Sequence, residues 1–336
     1  MIVTDLLDVN PGEEVLVIID SRTPADIARV LRDGAIAVGA RATLMEIPRP
    51  PAGKHYVGTQ VTPPRSVVEA IKNTDVILNC GSIGYTDYMR DTMRRGTRGI
   101  DVGKGPDVDE VLVRTMADID AAQLNEESKR MSDLWGQAES VRFRSKNGTD
   151  VTISMKGLAP ERIDFPIRRE SKIRYTYLPL TGGAAVPGTG KIEEGVFVLD
   201  GCCEAGSKVQ AFLHEPVRLY VEDNMITRAE GDKVVWPVLK SFLDEFDDPN
   251  VYRIPAHFGV AGNANAQARP THQEWERVRG SAIFGVGDNS VLLSNSGLSP
   301  PVECITKAKF HWDCHIMKPS VFLDEKQIVE EGRILI

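Results

Sequence analysis

The stretch Phe310-His311-Trp312-Asp313-Cys314-His315 holds two of the chain's six histidines, with a carboxylate between them. If Lys309 to Ile316 is a strand, side chains alternate between its faces. His311, Asp313 and His315 then share one face, and Phe310, Trp312 and Cys314 share the other. Two imidazoles and a carboxylate on one face suit a metal ion or general acid–base chemistry. A buried strand with a His–Asp hydrogen bond is the plainer alternative.

Strand geometry limits the metal reading. Residues i and i+2 lie roughly 6.6–7 Å apart, and i and i+4 about 13 Å. Two neighbouring side chains can converge on one ion at about 2.1 Å, whereas three along a straight strand cannot. A single-ion site would therefore use His311 and Asp313 and draw a third ligand from elsewhere. His257 is a candidate. It lies in Ala256-His257-Phe258-Gly259, just before the small-residue run Ala261-Gly262-Asn263-Ala264-Asn265-Ala266, the kind of sequence that permits close backbone approach. A structural histidine is the other reading of that position. Glu303, upstream of His311 in a strand-like segment Val302 to Ile305, is a possible general base.

These residues need elements to hold them. Val15 to Ile19 is a continuous apolar run of the kind found in buried parallel strands. Asp20-Ser21-Arg22-Thr23-Pro24 follows, with residue types suited to a helix start. Ile27, Val30, Leu31 and Ile36 then have helical spacing, Gly39 ends the helix, and Ala42 to Ile47 reads as the next strand. The alternation continues: helix at Val67 to Lys72, strand at Val76 to Asn79, helix at Tyr85 to Arg95, strand at Arg98 to Val102. Such a pattern gives a parallel sheet covered by helices.

Ser82-Ile83-Gly84-Tyr85 follows one of these strands. Loops at the carboxyl ends of parallel strands are where open α/β sheets bind ligands, so Ile83 and Tyr85 are candidate substrate contacts. No Gly-x-Gly-x-x-Gly follows the first strand, and there is no Gly-x4-Gly-Lys-Ser/Thr. Both observations argue against a nucleotide site.

After a helical stretch, Val108 to Met131, the texture changes. Val141 to Arg144 and Val151 to Met155 alternate about an Asn147-Gly148 turn. Leu158 to Gly190 is rich in Pro, Gly and Arg and reads as irregular. Gly195 to Gly201, Val209 to Phe212 and Val217 to Val221 read as antiparallel strands, and Trp236 to Phe246 as a helix. The expected fold is thus an α/β N-terminal domain with a Rossmann-like parallel sheet, residues 1–138, followed by an α+β, largely antiparallel C-terminal domain, residues 139–336, carrying the metal-binding candidates.

With 336 residues, the chain is long enough for two modest domains. Its net charge of -8 argues against nucleic acid or an anionic membrane surface as partner. No signal peptide and no membrane-spanning apolar run is visible. Five cysteines, an odd number in a long chain, fit reduced thiols and a cytoplasmic setting.

The order of several segments resembles a known family. They are the βαβ start at Val15 to Val38, Ser145-Lys146-Asn147-Gly148-Thr149-Asp150, Pro187 through Glu194-Gly195-Val196-Phe197-Val198-Leu199-Asp200, Ala256-His257-Phe258-Gly259, and His311-Trp312-Asp313. Together they are similar to the 2,5-dihydroxypyridine 5,6-dioxygenases, relatives of the thermophilic-type metalloaminopeptidases. The resemblance implies one iron(II) held by His257, His311 and Asp313, a small aromatic substrate, dioxygen, and a homo-oligomer. It also places Gly84 and Tyr177 where that family has substrate-facing histidines, which makes Tyr177 or Tyr85 a candidate replacement contact. His315 lies outside the family motif and is a candidate acid–base or structural residue. Two-metal peptidases carry an acid after a Pro-x-Gly turn. The matching Pro179-Leu180-Thr181-Gly182-Gly183 has none, and a second of their acids corresponds to His257. A metal-dependent hydrolase is nevertheless the alternative activity, since two histidines and a carboxylate also suit zinc.

Overall fold

The computed structural model describes residues 1–336 except 50–62, 85, 86, 104, 206–208, 272, 273, 291 and 294–297. In chain order the elements that matter here are β1 (Glu14–Ile19), α1 (Ala25–Ala37), β2 (Arg41–Glu46), α2 (Arg65–Lys72), β3 (Val76–Cys80), α3 (Asp87–Arg94), β4 (Arg98–Asp101), α4 (Val108–Met116), α5 (Ala121–Trp135), β5 (Ser140–Arg144), β6 (Asp150–Ser154), β7 (Tyr175–Tyr177), β8 (Ala184–Pro187), β9 (Glu194–Leu199), β10 (Cys202–Ala205) and β11 (Val209–Phe212). They continue with β12 (Val217–Glu222), β13 (Met225–Gly231), α6 (Val235–Asp244), β14 (His257–Val260), β15 (Ala282–Gly287), β16 (His311–Ile316), β17 (Ser320–Leu323), β18 (Lys326–Glu330) and β19 (Arg333–Ile334).

The chain divides into two compact units, residues 1–125 with 163–180, and residues 126–162 with 181–336. The boundary expected at 138/139 falls inside the second of these.

The first unit is built on a parallel sheet in the order β2-β1-β3-β4-β7. β1 and β3 are apolar almost throughout and buried along their lengths, as strands covered on both faces must be. Leu31 and Ala35 of α1 join Val15, Val17 and Ile100 in its core. The order 2-1-3-4 reverses direction between β1 and β3, and there the buried Asp20 carboxylate accepts hydrogen bonds from Arg22 and Ser82.

The second unit holds two antiparallel sheets. One has six strands in the order β11-β10-β16-β15-β14-β8, and the other eight, in the order β13-β12-β9-β6-β5-β17-β18-β19. One face of the six-stranded sheet is apolar: Phe258, Val260, Phe284, Val286, Trp312 and Cys314 belong to a single buried core with Phe143 of β5 and Phe197 of β9. Phe284 meets the rings of Phe143 and Phe197 edge-on, each at 4.8 Å between centroids. The alternation that buries these residues turns His257, Gly285, His311 and Asp313 to the opposite face.

Asn147-Gly148 makes the expected hairpin turn between β5 and β6, with Gly148 at φ +102°. Two expectations are corrected. The stretch 158–190 is not irregular throughout, because it supplies β7 to the first sheet and β8 to the six-stranded sheet. Strands of three and four residues among prolines and glycines are too short for periodicity to reveal. Val302–Cys304 is a single 3-10 turn rather than a strand. Pro301 enters it at φ -53°, and the Cys304 and Ile305 N–H groups bond back to Pro301 and Val302. Among the described residues no helix is long and apolar enough to cross a membrane.

Candidate metal centre

β14, β15 and β16 are consecutive in the sheet, and their register sets the site. His257 pairs with Gly285, and Gly285 with Asp313. His311 pairs with Gly287, two residues further along. His257 approaches through a fixed backbone: the buried Asn224, in the left-handed region at φ +66°, donates its side-chain amide to the carbonyls of Ile254 and Gly190. On the reverse face, the Trp312 indole donates to the Val251 carbonyl at 2.8 Å.

The result is a cluster of three. Asp313 Oδ1 lies 2.8 Å from His257 Nε2 and 3.1 Å from His311 Nε2. The two imidazoles stack with centroids 5.3 Å apart and an interplanar angle of 26°. Ligand atoms of all three lie within 4.8 Å of one another, and each residue is half-buried.

The tautomer of His311 follows from its other nitrogen. Nδ1 is 2.7 Å from the Asp288 carbonyl oxygen, which only accepts, so Nδ1 carries the hydrogen. In the neutral ring, Nε2 then presents a lone pair to a carboxylate. Two acceptors facing each other require a cation between them, either a proton on the ring or a metal ion. The protein without metal satisfies this with the proton. Burial pulls the His311 pKa down, but the charge and hydrogen bond of Asp313, with help from Asp288, lift it to about 9. Burial alone would raise the Asp313 carboxyl; the two histidines instead hold it well below the usual carboxylate range. The donor set therefore fits a divalent ion: two imidazoles, one ionised carboxylate, and a backbone carbonyl that orients one ring.

The other expected site residues are placed as follows. His315 continues the same strand but does not join the cluster. It is fully buried, its ring centroid is 5.4 Å from that of Trp275, and neither ring nitrogen has a hydrogen-bond partner among the described residues. Burial alone pulls its pKa down to about 3. Glu303 is exposed on the 3-10 turn. Ile83 is buried after β3, its carbonyl accepting from the Asn79 side chain at 2.7 Å. Tyr177 ends β7, half-buried, its ring edge-on to Tyr175 at 5.6 Å. Tyr85 lies outside the described residues.

Two acidic groups near the cluster escaped the sequence reading. Glu204 is the direct cross-strand partner of Asp313 on β10 and accepts from Gln210 at 3.1 Å. Glu276 pairs with Arg277 at 2.7 Å. Burial pushes the Glu276 carboxyl up; Arg277 opposes the rise and the Asp313 charge adds to it. Neither glutamate sits in a motif, and only strand pairing and chain return bring them here.

Residues 3–336 match the family of 2,5-dihydroxypyridine 5,6-dioxygenases, NicX. The fold is similar to that of a solved structure, 2,5-dihydroxypyridine dioxygenase from Pseudomonas putida KT2440, with a TM-score of 0.76 and 19% sequence identity over 97% of this chain and 93% of that one. No curated protein sequence matches. A match of this extent, over a fold of the same kind, means that the chain belongs to the 2,5-dihydroxypyridine 5,6-dioxygenase family, ring-cleaving dioxygenases of hydroxypyridines.

Proposed function

We propose that the chain binds one iron(II) through His257, His311 and Asp313 and opens a 2,5-dihydroxypyridine-like ring with dioxygen. The observation that carries this is the convergence of two Nε2 atoms on one Asp313 oxygen, at 2.8 and 3.1 Å, in a chain of this dioxygenase family. Two imidazoles and one carboxylate would be a donor set suited to iron(II) in such an enzyme, held by His257, His311 and Asp313. The iron, when bound, supplies the redox chemistry that dioxygen requires and a positive charge for the hydroxyl oxygen of the ring.

The protein contributes position and charge. Asp313 offsets part of the 2+ charge, so a singly deprotonated hydroxypyridine is not held too tightly to react. The Asp288 carbonyl keeps the proton of His311 on Nδ1 and Nε2 free for the metal. The apolar reverse face of β16 fixes the strand that carries two of the three ligands. Family membership favours this chemistry over a hydrolase using the same donor set.

Five buried cysteines, none in a disulfide, support a reducing, cytoplasmic setting. Homo-oligomeric assembly is proposed on the family resemblance, and light scattering would read it directly.

The test is metal content and oxygen uptake. Protein prepared without oxygen and loaded with Fe(II) should consume dioxygen with 2,5-dihydroxypyridine. His257→Ala and Asp313→Ala should lose the metal and more than about 100-fold in turnover, beyond the cost of losing a supporting partner. Full turnover in chelated, iron-free protein overturns the iron reading. Turnover of substrate without oxygen overturns the dioxygenase reading.

A further inference from the structure

The candidate ligands come from two strands that are not neighbours. β14 carries His257, β16 carries His311 and Asp313, and β15 runs between them. Two strand spacings amount to about 9.6 Å, yet His257 Nε2 and Asp313 Oδ1 are 2.8 Å apart. Their side chains must therefore meet above the middle strand. The residue beneath that meeting point is Gly285, paired with His257 on one side and Asp313 on the other.

A Cβ built on Gly285 would stand 2.5 Å from His257 Nε2 and 2.7 Å from His311 Cε1, and it would also overlap His257 Cδ2. Real Cβ atoms essentially never come within 3.0 Å of such neighbours. The rings have little room to yield. They stack on each other at 5.3 Å, and His311 is tied to the Asp288 carbonyl. Gly285 is also not demanded by its backbone, because it is absent from the glycines with positive φ, whereas Gly287 on the same strand has φ +88°. A glycine inside a strand costs stability and removes a side chain from packing. At position 285 that cost has one visible return, the space above it.

We propose that Gly285 is a positioning residue for the metal centre, its missing side chain being the space in which the two imidazoles and the carboxylate converge. The inference rests on the reading of these three residues as metal ligands. It assigns Gly285 no contact with substrate. A methyl group there drives His257 and His311 off their common point with Asp313, without changing any donor atom.

Two measurements on the full chain test this. The first is Co(II) or Fe(II) titration of Gly285→Ala under anaerobic calorimetry, with circular dichroism to confirm folding. The expected result is a 10- to 100-fold loss of metal affinity, about what a lost supporting residue costs. Wild-type affinity in Gly285→Ala overturns the proposal. The second is thermal unfolding of metal-free protein, comparing the effect of Gly285→Ala in the wild type and in a His257→Gly, His311→Gly background. If the methyl clashes with the imidazoles, its penalty disappears once they are gone, and a Gly285→Ala chain that fails to fold is rescued. An equal penalty in both backgrounds, or no rescue, overturns the proposal. If the wild type binds no divalent ion while the penalty still vanishes, Gly285 positions the imidazoles and the metal reading alone fails.

Discussion

Trp312 and Val251 are joined by an indole-to-carbonyl hydrogen bond of 2.8 Å, on the face of β16 opposite His311 and Asp313. Trp312 is fully buried and 6.3 Å from the ring of Trp236. The bond ties the strand from behind where it carries His311 and Asp313. Trp312→Phe keeps an aromatic ring there and removes the donor, leaving a buried carbonyl without it. The expected loss is about 1–3 kcal/mol in denaturant unfolding, accompanied by weaker metal binding. Unchanged stability and affinity would mean that the sheet ladder alone fixes the strand.

His315 is a buried imidazole with both nitrogens unpartnered among the described residues. Its pKa falls from the ordinary 6.5 to about 3 on folding. The unfolded chain therefore binds more protons between those values, and stability rises with pH across that window. His315→Leu should flatten this part of the stability–pH curve. It should also hold or raise stability at pH 7, since an apolar group replaces an unsatisfied polar one. If His315→Leu instead abolishes turnover while retaining metal and fold, His315 is an acid–base group after all.

Asp232 sits just before α6 and accepts the backbone N–H groups of Val234, Val235 and Trp236 at 2.8, 2.5 and 3.2 Å. It also takes those of His214 and Glu215 at 2.5 and 3.1 Å. Burial opposes its ionisation, but the N–H groups of Val234, Glu215, Trp236 and Val235 prevail and bring the carboxyl from 3.8 to about 2. Its contribution is present above pH 3.8 and is lost as pH falls through about 2. Asp232→Ala should cost about 1–2 kcal/mol at pH 7, the range for a lost helix cap. That deficit should shrink below pH 4. Comparing unfolding midpoints of the two proteins against pH measures it, and a deficit independent of pH would contradict the carboxylate's role.

The clustering of His311 and Asp313 was more legible in the sequence than what surrounds it. His311 and Asp313 are two residues apart on a strand, and period two puts them on one face without further information. His257 stood out only as a candidate beside a run of small residues; the family resemblance joined it to His311 and Asp313, because nothing in its own segment says which strand it will lie near. The parallel sheet was legible from the apolar runs at Val15 to Ile19 and Val76 to Asn79. β7 and β8 were not, since three or four residues give no period to count. Glu204 and Glu276 were invisible for a different reason: pairing of β10 with β16 sets Glu204 beside Asp313, and Glu276 reaches the cluster from a 3-10 turn that no pattern links to it. Gly285 had a readable sign, glycines two apart at 285 and 287 inside an apolar strand, but its meaning depends on what stands on either side.

The short strand β7 has a consequence for taking the protein apart. Gly99, Ile100 and Asp101 find their outer partner in Tyr175, Thr176 and Tyr177, more than seventy residues later and after a hairpin of the other unit has been made. Neither unit is one unbroken length of polypeptide. A fragment ended at residue 138 loses the strand that closes β4, leaving amide and carbonyl groups bare along an edge that invites another chain to pair with it. Isolating either folded unit would need three cuts and a splice.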